Sequence, residues 1–210
     1  MISDKPIVFL GPSLSQREAE RILDAEYHPP LRAGDLDLIK SPAIVGVVDG
    51  VLEESARLPI SEARRAIHRG IKCFGAASVG ALLAIDLSAH GFQGVGQVFE
   101  FLRAYRGNKE DLVIALYAEH DNTLLTIPII DIVLSQCHPT RHAAEDLVGV
   151  LCRIPLQHRT WNNIQHRLRS VGWLTRPLRT SAKSGDARML LRPRKMQARL
   201  NLDAGVFSAC

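Results

Sequence analysis

The chain has 210 residues, 46% hydrophobic and 23% charged, with a formal net charge of +4. That is enough for one sizeable domain, or one domain with a small appendage, and enough apolar residue to bury a core. No apolar run reaches the roughly 18 residues of a membrane span, and the N-terminal apolar stretch of about five is shorter than the roughly 7–15 of a signal peptide, so a soluble cytoplasmic protein is expected.

In chain order, PIVFL (6–10) is a short apolar run closed by Gly11-Pro12, which predicts a strand and a turn. Ser15 stands three residues before Glu18, the spacing of a capping box, and predicts a helix to about Glu26 that His28-Pro29-Pro30 stops. Residues 31–42 read as loop. AIVGVVDG (43–50) is a buried-type strand ending in Asp49-Gly50. Ser61 opens a short helix that Gly70 can terminate. IKCFG (71–75) is the next strand, and the segment after Ser78 is a helix ended by Gly91. Residues 94–107 form another helix, and Gly91, Gly94 and Gly96 read as a turn between helices. LVIALYA (112–118) predicts a fourth strand and LLTIPII (124–130) offers a fifth.

Strands that are continuous apolar runs, alternating with helices, define an α/β protein. Its sheet is mostly parallel with helices on both faces. The pattern changes near residue 138, where 141–154 and 160–174 read as helices of a smaller C-terminal region. Trp161 and Trp173 are expected to help close its core. Beyond 176 the chain is basic and weakly patterned, which predicts a loosely ordered tail. The division is thus 1–137, 138–175 and 176–210.

Charge follows this division. Residues 141–210 carry 13 Lys/Arg against 4 Asp/Glu, whereas 1–140 carry 13 against 18. The basic end is suited to an acidic partner, but it lacks the interleaved aromatics of a single-strand nucleic-acid surface, so nucleic acid is not the expected partner. Cys73, Cys137, Cys152 and Cys210 form no C-x-x-C pair and read as free thiols, mostly core filler. A sulfur-handling role for Cys73 has no support beyond its place before the turn at Ser78.

Ala76-Ala77-Ser78-Val79-Gly80 has the small-x-nucleophile-x-small spacing of a strand-turn-helix elbow. A sharp turn brings backbone onto backbone, so its flanks must be small. The residue at its tip stands above the carboxyl edge of the sheet, beside free N–H groups that can hold an anion or an oxyanion. The sequence alone favours Ser78 as a helix N-cap, and the two roles can coexist. Asp49, at the end of a central strand, faces the ligand crevice of a parallel sheet or makes an Asp-Gly turn. Ser13 follows the first strand on the same edge, so three strand ends would converge. No histidine is clearly placed as a base: His68 and His90 sit late in helices, and His120 follows a strand. Cys137-His138 with His142 is a poor metal set because Pro139 interrupts the helix that would align it. No metal and no cofactor are expected.

The strings VFLGPSL (8–14), GDL (34–36), VVDGV (47–51), FGAASVGAL (74–82), GVG (94–96) and EDLVIAL (110–116) resemble the TfuA family in this order, over roughly residues 5–135. The resemblance implies that 1–137 is a TfuA-like core. It also implies an accessory role in making a ribosomally produced, trifolitoxin-like modified peptide. A YcaO enzyme would thioamidate the peptide backbone, and this chain would hydrolyse a thiocarboxylated ThiS-like sulfur carrier to supply sulfide. The implied partners are the YcaO protein, the carrier and a precursor peptide. On this reading Ser78 and Asp49 are the catalytic candidates, while Ser13, Gly75, Ala76, Ala77 and Gly80 hold the oxyanion or pass the carrier's Gly-Gly tail. The alternative is a non-catalytic adaptor for YcaO and its peptide. The family block commonly reads GAASMGALRAAEL; here Val79, Leu83, Ile85 and Asp86 replace Met, Arg, Ala and Glu. The acidic pair survives as Glu110-Asp111, and 58–67 lacks a His that many members carry before a Glu.

Overall fold

The computed structural model describes residues 5–40, 42–118, 120–136, 141–173 and 181–192. Five strands, β1 (Ile7–Phe9), β2 (Glu26–His28), β3 (Ile44–Val47), β4 (Lys72–Ala76) and β5 (Gln93–Val95), form one all-parallel sheet in the order β2-β1-β3-β4-β5. Along the strands successive side chains enter opposite layers. Phe9, Val45, Val47 and Cys73 join one apolar core, and Val8, Ile44, Val48, Phe74 and Ala76 join the other. A sheet buried on both faces explains why the central strands are continuous apolar runs.

The first core is closed by α2 (Asp35–Leu38), α3 (Ile60–His68), α4 (Val79–Asp86) and α5 (Gln97–Ala104), with α6 (Lys109–Val113), α7 (Ile129–Ser135), α8 (Arg141–Leu151) and α9 (Trp161–Ser170) packed outside them. Its central helix, α4, has Val79 through Ala84 all buried. Trp161 and Trp173 pack against this core. The GDL string has a local cause: Gly34 takes φ +93, and Glu62 of α3 accepts from the N–H groups of Gly34 (2.8 Å) and Leu36 (2.9 Å). Those bonds satisfy donors at the start of α2 that the helix itself cannot.

The second core is closed by α1 (Gln16–Glu20) and by α10 (Ala182–Leu190), which brings in Ala187, Leu190 and Leu191 at 0% exposure. The expectation of a loosely ordered tail from 176 therefore fails for 181–192. Three ties fix α10. Asp131 Oδ1 accepts from the Lys183 N–H (3.0 Å). Asp186 accepts from the N–H groups of Gln97 (2.9 Å) and Val98 (2.7 Å), capping α5. Arg188 pairs with Glu18 of α1 at 2.8 Å.

Four other expectations are corrected. The helix after Ser15 ends at Glu20, and the edge strand β2 occupies Glu26–His28. The presumed loop 31–42 contains α2. The glycines at 91, 94 and 96 flank and enter β5 rather than joining two helices. LVIALYA is the end of α6 followed by an irregular segment, and LLTIPII leads into α7. In Glu110-Asp111, Glu110 pairs with Arg57 at 2.7 Å, and Asp111 pairs with the buried Arg159 at 2.6 Å. Cys73 is buried as expected, but Cys152 is exposed, and Cys137, His138 and Cys210 lie outside the described residues. No helix among the described residues is long and apolar enough to cross a membrane.

Candidate functional site

In a sheet of order 2-1-3-4-5 the chain leaves β1 toward one edge and later returns on its other side at β3. The loops after these strands therefore part, opening a crevice at their carboxyl ends. Asp49 closes the floor of that crevice. Its Oδ2 accepts from the N–H groups of Gly11 (2.9 Å) and Ser13 (3.0 Å), and its Oδ1 accepts from the Ser13 hydroxyl at 2.6 Å. Both residues are buried. Asp49 thus ties the exit of β1 to the exit of β3, and both of its oxygens are engaged.

The exit of β4 is the turn at Ala76-Ala77-Ser78. The Ser78 N–H donates to the Ala76 carbonyl at 2.8 Å, two residues back, and Ala77 takes φ +66. This is the γ-turn bond with the positive φ of its rarer, strained form. The tip of the turn is therefore Ala77, one residue earlier than the elbow spacing predicts. Ser78 takes the N-cap position of α4, yet its side chain makes no capping bond, and among the described residues its hydroxyl has no hydrogen-bond partner.

Gly75 and Gly80 meet face to face behind this turn. A Cβ on Gly75 would fall on the Gly80 carbonyl oxygen, and one on Gly80 would fall on the Val47 carbonyl oxygen. The Gly80 N–H also reaches the Val48 carbonyl at 3.3 Å. The small residues of FGAASVGAL thus let the first turn of α4 lie directly on β3 and β4. Ala76 and Ala77 are wholly buried. None of Gly75, Ala76, Ala77 or Gly80 lines the cavity described next.

That cavity, of about 290 Å³, lies at the carboxyl edge and is lined among others by Asp49, Glu53, Ser78, Val113, Tyr117 and Lys183. The structure thus brings Asp49 and Ser78 to one cavity, with Ser13 bonded to Asp49 behind it. Among the described residues its lining holds no histidine. His68 and His90 are exposed, and His120 is exposed beside Asp121 at 3.3 Å. A larger neighbouring cavity of about 550 Å³ is lined by Gly11, Tyr27, His28, Arg32 and Tyr117. Among the described residues no three His, Cys, Asp or Glu side chains gather as a metal site. The Cys73 thiol is pushed up to about 12 by burial, which leaves almost no thiolate for sulfur chemistry.

Sequence reading missed Lys183 and the cavity wall at 113–117. Ser181 was the available signal: it caps α10 by accepting from the Ser184 N–H at 3.1 Å. Buried positions then recur at 183, 186, 187, 190 and 191, the spacing of one helix face. Two of them carry charge, so the stripe reads as solvated.

An open parallel sheet with its cavity at the switch point defines a doubly wound α/β protein that would bind its ligand at the strand ends. The family model of TfuA-like proteins matches residues 49–160, more than half of the chain, and the chain belongs to that family. Comparison with curated proteins finds no match. Membership supports an accessory role in the pathway of YcaO-type partners with which the family is associated. The matched span includes Asp49 and Ser78 but neither Ser13 nor Lys183.

Proposed function

We propose that this protein hydrolyses the thiocarboxylate at the end of a ThiS-like sulfur carrier and so supplies sulfide for backbone thioamidation by a YcaO enzyme. The observation that carries this reading is the Ser78 hydroxyl at the start of α4, which has no hydrogen-bond partner among the described residues and shares one cavity with Asp49. Water adds to the thiocarboxylate carbon, the C–S bond breaks, sulfur leaves as hydrosulfide carrying one of the water protons, the other proton passes to solvent, and the carrier keeps a carboxylate. The charge that grows on the carbonyl oxygen needs a preorganised donor, and the Ser78 O–H is free to be one. A serine nucleophile needs an adjacent base. Among the described residues the cavity offers no histidine, and both Asp49 oxygens are engaged, so Ser78 acts as donor and Asp49 as a positioning residue. Its bonds to Gly11 and Ser13 hold the β1 exit in place.

Sulfide release from a thiocarboxylated ThiS-type carrier tests this. Ser78→Ala is expected to lower the rate by about tenfold or more, about 1.4 kcal/mol of transition-state stabilisation. No release above background from the unaltered protein would move the assignment to the second reading, a non-catalytic adaptor for YcaO and its peptide. That reading draws on the saturated Asp49 and on Leu83, which sits in the core where the family block that this segment resembles commonly reads Arg.

A further inference from the structure

Lys183 is 3% exposed and lines the cavity that holds Ser78 and Asp49. A buried ammonium is costly unless its donors and its charge are met. Among the described residues its Nζ has one hydrogen-bond partner, the Val113 carbonyl at 3.1 Å, which is neutral and belongs to the same wall. An ammonium carries three donors, so two remain. Among the described residues no carboxylate accepts a hydrogen bond from the Lys183 Nζ. Asp49 is held by Gly11 and Ser13; Asp131, whose pKa burial pushes up and the Lys183 charge pulls down, accepts from the Lys183 backbone N–H and meets that ammonium through space without a hydrogen bond to its Nζ among the described residues. Glu53 lines the cavity but is exposed.

We propose that Lys183 is the anion anchor of this cavity and binds the terminal carboxylate or thiocarboxylate of a chain that enters at the carboxyl edge of the sheet. This deepens the proposed function and rests on it for the identity of that chain. At about 290 Å³ the cavity is at or below the small end of ligand pockets, which suits a narrow chain end rather than a bulky ligand. With the terminal anion on Lys183, its own carbonyl carbon sits in the cavity that Ser78 also lines. α10 therefore supplies a binding residue as well as the cover of the second core, although it lies outside the span matched by the family model.

The test compares two fluorescent short polar peptides ending in Gly-Gly, one with a free carboxylate and one with a carboxamide, binding to the full chain. The unaltered protein is expected to prefer the acid by about tenfold, and Lys183→Met, of similar length, is expected to bring the preference below about twofold. Lys183→Gln repeats the comparison should the methionine variant not fold. Equal binding of the two peptides, binding of neither up to about 1 mM, or a preference that survives both substitutions overturns the anchor. Sulfide release separates this from the preceding proposal. Release without a carboxylate preference defeats the anchor alone, and a preference without release defeats hydrolysis alone.

Discussion

Asp49 and Ser78 share a cavity but differ in what the fold asks of them. Three donors converge on Asp49, two of them backbone N–H groups of a buried turn. A buried donor left without an acceptor costs roughly 1–3 kcal/mol, so Asp49→Ala is expected to destabilise the protein by at least about 2 kcal/mol in urea unfolding. Among the described residues the Ser78 side chain has no partner to lose, and Ser78→Ala is expected to stay within about 0.5 kcal/mol of the unaltered protein. Similar losses from the two changes would mean that the Ser78 hydroxyl is bonded in solution. The same contrast makes Ser78→Ala the cleaner probe of activity. Cys73 gives a second residue-level expectation. With its thiol pushed to about 12 by burial, the thiolate fraction at pH 8 is about 10⁻⁴, so iodoacetamide should label Cys73 only after unfolding. Rapid labelling of the folded protein would reopen a sulfur-handling role for it.

The contact between α4 and the strands beneath it is where the sequence was most legible, because close backbone approach leaves a run of small residues whatever their chemistry. Gly80→Ala should show this directly. The added methyl meets the Val47 carbonyl oxygen and the Gly75 backbone, neither of which is a flexible side-chain end. Overpacking of this kind costs about 1–3 kcal/mol, occasionally more, and the rigid contact places Gly80→Ala at the upper end, read by chemical denaturation. Full stability in that variant would mean that α4 stands further from β3 in solution than this contact allows. Other elements hid for physical reasons. β2 (Glu-Tyr-His) and β5 (Gln-Gly-Val) are edge strands, paired on one side only, and need no apolar run. Leu112 and Val113 are buried like strand residues, but they pack from a short helix that Asn108 caps, and a brief apolar run cannot distinguish the two.

The two faces of the sheet are closed by unequal parts of the chain. One is covered by helices from the middle of the sequence, the other by α1 and by α10, which returns from a region that composition marks as a basic tail. Leu190 and Leu191 are wholly buried there, and full burial of a leucine is worth roughly 1.5–3 kcal/mol. Asp186 adds the two bonds that satisfy the start of α5. Together these amount to a large share of the roughly 5–15 kcal/mol by which domains are stable. Removing residues 181–210 is therefore expected to abolish a sharp thermal transition. Leu190→Ala in the full chain should lower stability by about 2–5 kcal/mol, measured by denaturant. The pair of measurements separates two roles of the segment. If truncation unfolds the protein and Leu190→Ala weakens it in proportion, α10 is a structural layer of the sheet, and loss of sulfide release on truncation says nothing about catalysis. If the truncated chain melts sharply near the unaltered temperature, the second core closes without α10, and any loss of activity then points to Lys183 in the cavity.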